Sequence, residues 1–315
     1  MLPESPFFPG RPQMEFKTTF SQSFLQKLWF IYSQRIHKFF IHKSSNFYLK
    51  PNDIISHRPT LFGYHEAHIE KLIEEGSDSY NGFFLDLGAN IGLTSALVGK
   101  RFKRIDCVEP NELVFNILKT NLALHLAPET YHCHLIGLGK KDEELKLLVP
   151  KDNFGGAFIE SGNDIVDIKI AEAASNKHFY KDNFAETKIT VRNAEVWLGN
   201  YFSELQKNRL TSGIIKIDVE AYEGLIFESI LKTLPKNFNA LIVMENWFDR
   251  FPIEKFASSS HDFKWFYFKK IKRIFHSIPF KILGLSSSFR MEVHPLTGET
   301  AQPHDVICLL SSKNG

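Results

Sequence analysis

The chain has 315 residues, 43% of them hydrophobic and 23% charged. That is long enough to bury a core without disulfide or metal staples. Its net charge of +2 argues against a uniformly basic nucleic-acid binder. No run of about 18 uncharged apolar residues marks a membrane span.

The opening MLPESPFFPG carries an acid and three prolines and reads as a tail. It lacks the basic-then-apolar order of a signal peptide. From residue 16 to 52 there is no Asp or Glu but six cations, among them Lys27, Arg35 and Lys38. Within this stretch, residues 20–43 read as an aromatic helix, with Phe24, Leu28, Ile31 and Phe39 near helical spacing. Pro51 and Pro59 mark a connector, and residues 64–75 a short helix ending at Gly76. The expected division is therefore 1–52 as an extension and 53–315 as the main domain.

From residue 83 the pattern becomes regular. FFLDL is a buried strand closed by Gly88, and residues 91–100 a helix. RIDCVEP is a second strand, and residues 111–124 an amphipathic helix with Val114, Leu118 and Leu122 on one face. YHCHLIGLG reads as a third strand. Alternation of this kind predicts right-handed crossovers and a parallel sheet. Residues 143–195 break the rhythm with short strand candidates and read as a β-rich insertion, in which KITVRNAEVWL could hold another strand. The rhythm resumes with GIIKIDV, a helix over 221–234, ALIVMEN, and a last strand DVICLLS. A second acid-free stretch, 263–291, carries seven cations among aromatic residues. With thirteen cations in these two stretches and +2 overall, the remainder has a net charge of −11. The three cysteines, Cys107, Cys133 and Cys308, lie far apart in apolar runs and read as buried thiols.

The chemistry centres on Asp86-Leu87-Gly88-Ala89-Asn90-Ile91-Gly92, a strand end and glycine turn that opens a helix. A glycine here lets the backbone approach a ligand. The helix start adds free N–H groups. Glu109 ends the next strand, 23 residues after Asp86. An acid roughly 20 residues past such a turn suits the two hydroxyls of a ribose. A dinucleotide site prefers Gly-x-Gly-x-x-Gly to cradle a pyrophosphate, but Asn90 stands where the second glycine belongs. S-adenosylmethionine has no phosphate, and the Asp-x-Gly-x-Asn-x-Gly form points to it.

LDLGANIG (85–92), CVEPN (107–111), NFGGAF (153–158), IKIDVEAYE (215–223) and VMEN (243–246) together resemble the FkbM-type family of S-adenosylmethionine-dependent methyltransferases. The resemblance spans residues 53 to 250. It implies an α/β Rossmann-like class I methyltransferase fold with a seven-stranded, mostly parallel sheet, and methyl transfer to a hydroxyl of a sugar or polyketide. It places Asp86, Gly88, Asn90, Gly92, Glu109, Asn111, Gly137 and Asp218 around the cofactor. Asn153 falls toward the methionine end or the substrate, Asn246 toward the substrate, and Asp218 and Glu220 match the family's acids after a core strand. Three positions depart from the family. Ala221 replaces a usual glycine, TVRNAEVWL lacks a usual Leu-Asp pair, and Asn246 stands where a His is common.

A hydroxyl needs to lose its proton to attack a methyl, so a base or metal is expected. Lys216, Asp218, Glu220 and Glu245 are the candidates, the first three on one side of their strand by alternation. A divalent metal is conceivable, but no residue is assigned to it. His132 and His134 read as structural, and His294 and His304 as loop residues near the C-terminal end. There is no Pro-Pro-aromatic loop and no Pro-Cys pair, which argues against a nucleic-acid base as acceptor. The expected activity is O-methyl transfer to a glycan or lipid-linked glycan. A non-catalytic module of the same fold and an NAD-linked sugar oxidoreductase are the alternatives. The chain is expected to be cytoplasmic. The stretches 16–52 and 263–291 suit interfacial helices on the inner membrane face, and equally suit packed aromatic rings with solvated lysines.

Overall fold

The computed structural model describes residues 20–21, 47–49, 59, 65–151, 156–159, 184–219, 222–245, 261–274, 287–296 and 305–313. Helix α1 (Ala67–Gly76) precedes strand β2 (Phe83–Leu87), and the two-residue β1 (Phe20–Ser21) precedes both. Then come α2 (Leu93–Val98), β3 (Ile105–Val108), α3 (Glu112–His125) and β4 (Tyr131–His134). A group of short strands follows: β5 (Gly137–Gly139), β6 (Glu143–Pro150), β7 (Phe158–Ile159) and β8 (Phe184–Asn193). The chain continues through α4 (Ala194–Lys207), β9 (Ser212–Ile217), α5 (Glu223–Thr233) and β10 (Asn239–Glu245). It finishes with β11 (His261–Ile274), β12 (Ser287–Pro295) and β13 (Asp305–Ser312).

The larger sheet has nine strands in the order β1-β12-β11-β13-β10-β9-β2-β3-β4. β2 lies centrally, the chain winds outward through β3 and β4, then crosses to β9 and β10 on the other side of β2. β13 is antiparallel and inserts between β10 and β11. From β4 to β11 this is the strand order of the Rossmann-like class I methyltransferase fold, as the motifs predict. β12 and β1 extend the sheet beyond the seven expected strands.

Alternating side chains make two cores. On one face, Phe84, Ile105, Ile214 and Ile307 pack with Leu72 and Ile73 of α1 and Leu118 and Leu122 of α3. On the other, Phe83, Leu85, Ile215 and Ile242 pack with Leu198 and Phe202 of α4 and Ile226 and Phe227 of α5. A strand covered on both faces reads as a continuous apolar run, as FFLDL does. The polar residues that interrupt these runs, Asp86 and Lys216, therefore stand out.

Several sequence expectations need correction. Residues 131–139 form two strands in different sheets, because the chain leaves the large sheet after His134. Gly139 then passes so close to β8 that an added Cβ would lie 2.7 Å from Val191 Cγ1. The region read as an insertion to residue 195 overruns the start of α4. Asn193 caps that helix, its side chain accepting the Val196 N–H at 3.0 Å. The β-rich character itself is present, as the second sheet β5-β8-β6-β7. Phe20 and Ser21 pair with β12 instead of opening a helix; the rest of the 20–43 helix lies outside the described residues. The stretch 263–291 contains β11 and the start of β12 rather than an interfacial helix. Phe266 and Phe268 are buried, while Lys264, Lys269, Lys270 and Lys272 are exposed. His294 lies in β12, not in a loop, and its Nε2 is 3.1 Å from Glu292. Among the described residues no helix is long and apolar enough to cross a membrane.

Candidate functional site

The strand order reverses between β2 and β9, and a crevice opens there at the C-terminal ends of the strands. The turn after β2 is built for close approach. Gly88 (φ +80°), Asn90 (φ +50°) and Gly92 (φ +79°) all adopt left-handed backbone. At Gly88 an added Cβ would collide with the Asp218 carbonyl oxygen. The Asp218 N–H donates to the Leu87 carbonyl at 2.9 Å, which locks the two strand ends together.

Glu109 follows β3, and its side chain is held by backbone. Oε2 accepts the Asn90 N–H at 3.1 Å and Oε1 the Asn111 N–H at 2.9 Å. Burial pushes its carboxyl up to about 7, against the pull of those two N–H groups. Each oxygen keeps a lone pair for a further donor. Asn111 turns its side chain to cap α3, accepting the Leu113 N–H at 3.2 Å.

A pocket of about 770 Å³, counting its open mouth, lies over this turn. Gly88, Asn90, Glu109, Gly137 and Asp218 line it. Its apolar wall comes from Ile136, Leu138, Leu147, Phe158 and Ile189, so the second sheet forms one side of the slot. This arrangement offers an apolar cleft beside a two-oxygen acceptor, a combination that suits a nucleoside. Asp86, Gly92 and Asn111 are not among the lining residues; they stand behind it. Gly92 is the N-cap of α2 and packs close to Leu118.

Asp86 and Lys216 are neighbours in register on β2 and β9. Asp86 is 1% exposed; its Oδ2 accepts from Ser95 Oγ at 2.6 Å, and its Oδ1 is buried without a hydrogen bond, 3.7 Å from Lys216 Nζ. Lys216 Nζ donates to Asp218 Oδ2 at 2.7 Å. Burial works against the Lys216 ammonium, but Asp218, Asp86 and Glu66 outweigh it and hold its pKa above the usual lysine range. Lys216 is thus a fixed cation that anchors carboxylates, not a proton acceptor.

Further along the same edge, Asp305 opens β13 opposite Glu245, the last residue of β10. His68 Nε2 lies 3.1 Å from Asp305 Oδ2. Glu66, the N-cap residue of α1, is partly buried, and its electrostatic neighbours are Lys216, Asp218, Asp305 and His68. Glu66, His68 and Asp305 belong to no motif of the sequence. The signal for them is the GYHEAH stretch that leads into α1 and the acid that opens the last strand. Glu220, Asn153, Asn246 and His304 lie outside the described residues. His132 lies in β4, and His134 Nε2 pairs with Asp106 at 2.9 Å while its carbonyl accepts the Glu109 N–H at 3.1 Å; neither histidine lines the pocket. Among the described residues no group of three or more His, Cys, Asp or Glu side chains is arranged to hold a metal ion.

No protein-family model and no curated protein matches the sequence, so the FkbM-type resemblance rests on the motifs alone. Solved structures resemble the chain distantly. One is the O-methyltransferase TomG from Streptomyces achromogenes, involved in tomaymycin synthesis, in complex with SAM. It is 10% identical with a TM-score of 0.37, over 78% of this chain and 81% of that one. An O-methyltransferase from Bacillus cereus in complex with SAH is 8% identical with a TM-score of 0.34, over 92% and 91%. Precorrin 8W decarboxylase from Methanobacterium thermoautotrophicum is 9% identical with a TM-score of 0.36, over 77% and 88%.

Proposed function

We propose that the protein is an S-adenosylmethionine-dependent methyltransferase that methylates a hydroxyl on a glycan or lipid-linked glycan. The observation that carries this reading is Glu109, a buried carboxyl whose two oxygens are oriented by the Asn90 and Asn111 N–H groups and which lines the pocket. The residues fit the cofactor. Glu109 would take the ribose hydroxyls, and the slot between Ile136, Leu138 and Ile189 the adenine. The Gly88 turn, which has no room for a Cβ, and Asp218 would take the methionine end. The buried Asp86 Oδ1, without a hydrogen bond, adds negative charge behind that end.

The charge balance separates two ligand classes. Glu109 and Asp218 line the pocket, with Asp86 behind, and Lys216 is the one cation paired to them among the described residues. Such a pocket repels a pyrophosphate and favours a sulfonium and an ammonium, so a nicotinamide dinucleotide fits it poorly. When bound, S-adenosylmethionine supplies a methyl already activated by its positive sulfur. The chain's own task is to hold both partners in line and to exclude water. The strand ends, tied by the Asp218–Leu87 hydrogen bond, give the rigid floor for that alignment.

Calorimetry with S-adenosylhomocysteine tests the site. Glu109→Ala is expected to weaken binding by about 100-fold, the worth of two hydrogen bonds to a charged group. Unchanged affinity would remove the ribose assignment. Incubation with methyl-labelled S-adenosylmethionine and fractionated cell glycans and lipids identifies the acceptor. Label confined to protein or nucleic acid would overturn the glycan reading.

A further inference from the structure

The carboxyls of the site fall in a row along the strand ends. Glu109 follows β3 and Asp218 follows β9, both lining the pocket, while Asp305 opens β13 two strands further along and Glu66, outside the pocket lining, has Asp218 and Asp305 as electrostatic neighbours. Three of the acids near the reaction centre are already committed. Asp86 is sealed beneath the turn against Ser95, Asp218 is tied to Lys216 at 2.7 Å, and Asp305 is tied to His68 at 3.1 Å. Glu66 differs. Its carboxyl makes no hydrogen bond or ion pair with any described residue, although Lys216, Asp218, Asp305 and His68 all surround it.

Its backbone is held in place. The N–H groups of His65 and Glu66 donate to Glu70 Oε1 at 2.9 and 3.2 Å, which fixes the chain just ahead of α1. The His68–Asp305 contact pins the first turn of α1 to the head of β13. A positioned backbone carrying an uncommitted, partly buried carboxyl is a costly arrangement for a structural role, and such residues concentrate at functional sites.

We propose that Glu66 is a catalytic residue of this site: its carboxylate takes the proton of the acceptor hydroxyl as the methyl group is transferred. The inference rests on the methyltransferase reading above. In the balanced step, the hydroxyl O–H bond breaks and its proton passes to Glu66. The oxygen's electron pair forms the O–CH3 bond, and the S–CH3 pair returns to sulfur, giving S-adenosylhomocysteine. Proton affinity is consistent with this role. Burial raises the Glu66 carboxyl to about 7; Asp218 and Asp305 push the same way, Lys216 and His68 the other. A base matched to neutral pH is the efficient choice. Glu245 faces Asp305 in register on that edge.

The test needs no acceptor. Sinefungin carries a C–NH3+ group where S-adenosylmethionine carries S–CH3, so it reports a carboxylate at the methyl position; S-adenosylhomocysteine carries nothing there. At pH 8 the wild type is expected to prefer sinefungin by about tenfold, the worth of one charge-assisted hydrogen bond. Glu66→Gln and Glu66→Ala should lose that preference and keep their affinity for S-adenosylhomocysteine. An unchanged preference in both variants overturns the proposal. Equal loss of both ligands also overturns it, by showing a structural role. A wild type that binds neither ligand fails the methyltransferase reading itself, and is told apart because no variant is needed to see it.

Discussion

Glu109 is a carboxyl that the fold keeps close to its protonation point. Burial raises it to about 7, so at neutral pH the ligand-free site holds a mixture of acid and carboxylate. The carboxylate is the better acceptor for two ribose hydroxyls, so binding favours the ionised form and releases a proton. The affinity for S-adenosylhomocysteine is therefore expected to fall as pH drops from 8 to 5, with the bend near pH 7. Titration calorimetry at several pH values checks this, and Glu109→Gln should remove the bend. At this scale the residues proposed to hold the cofactor are legible in sequence, because a strand end and a glycine turn are local signals. Glu66, His68 and Asp305 are not. His68 and Asp305 are 237 residues apart, and only the sheet order brings them together.

At the scale of elements, one buried amide ties the N-terminal segment to the glycine turn. Asn121 in α3 is fully buried; its Oδ1 accepts the Tyr48 N–H at 2.7 Å. Its Nδ2 donates to the Ile91 carbonyl at 2.7 Å and to the Tyr48 carbonyl at 3.2 Å. Phe47 stacks on His125 beside it, ring centroids 4.4 Å apart. Asn121→Ala is expected to cost about 1–3 kcal/mol, because it leaves the buried Ile91 carbonyl unpaired and frees the Tyr48 backbone. A thermal unfolding midpoint unchanged by the substitution would contradict this.

The βαβ units around β2, β3 and β9 are readable from sequence because their apolar runs and glycines lie close together in the chain. The missed elements have competing patterns. In α4, the β-branched residues of KITVRN mask the Asn193 cap that starts the helix. In β11, Lys is mixed with Phe, Trp and Tyr in a composition that suits an interfacial helix equally well. Neighbouring strands settle it: Phe266 and Phe268 pack on the α1 face and Phe263 and Trp265 on the other.

For the whole molecule, the site carries a stability cost that depends on pH. Glu66 and Glu109 rise from the usual value of 4.5 to about 7 on folding. A carboxyl raised in this way contributes stability that is fully present below 4.5 and lost as pH rises through about 7. Asp106 works in the opposite sense. Burial opposes its charge, but His134 and Arg104 outweigh it and hold its carboxyl below the usual range, so its contribution is lost in acid. Between pH 5 and 8 the ligand-free protein is expected to lose on the order of 1–3 kcal/mol relative to a Glu66→Gln/Glu109→Gln double variant. Urea unfolding of both proteins across that range measures it, and parallel curves would count against it.

The antiparallel strand β13 follows β11 and β12 in the chain but lies between β10 and β11 in space. The β11–β12 pair therefore joins the body of the sheet only through β13. Pairings of such sequence separation close late, because loop entropy must be overcome before contacts form. The half of the pocket that holds Glu109 and the glycine turn can assemble early from neighbouring units. The edge that brings Asp305 to His68 assembles last, so a folding intermediate would hold Glu109 and the glycine turn without the Asp305–His68 contact.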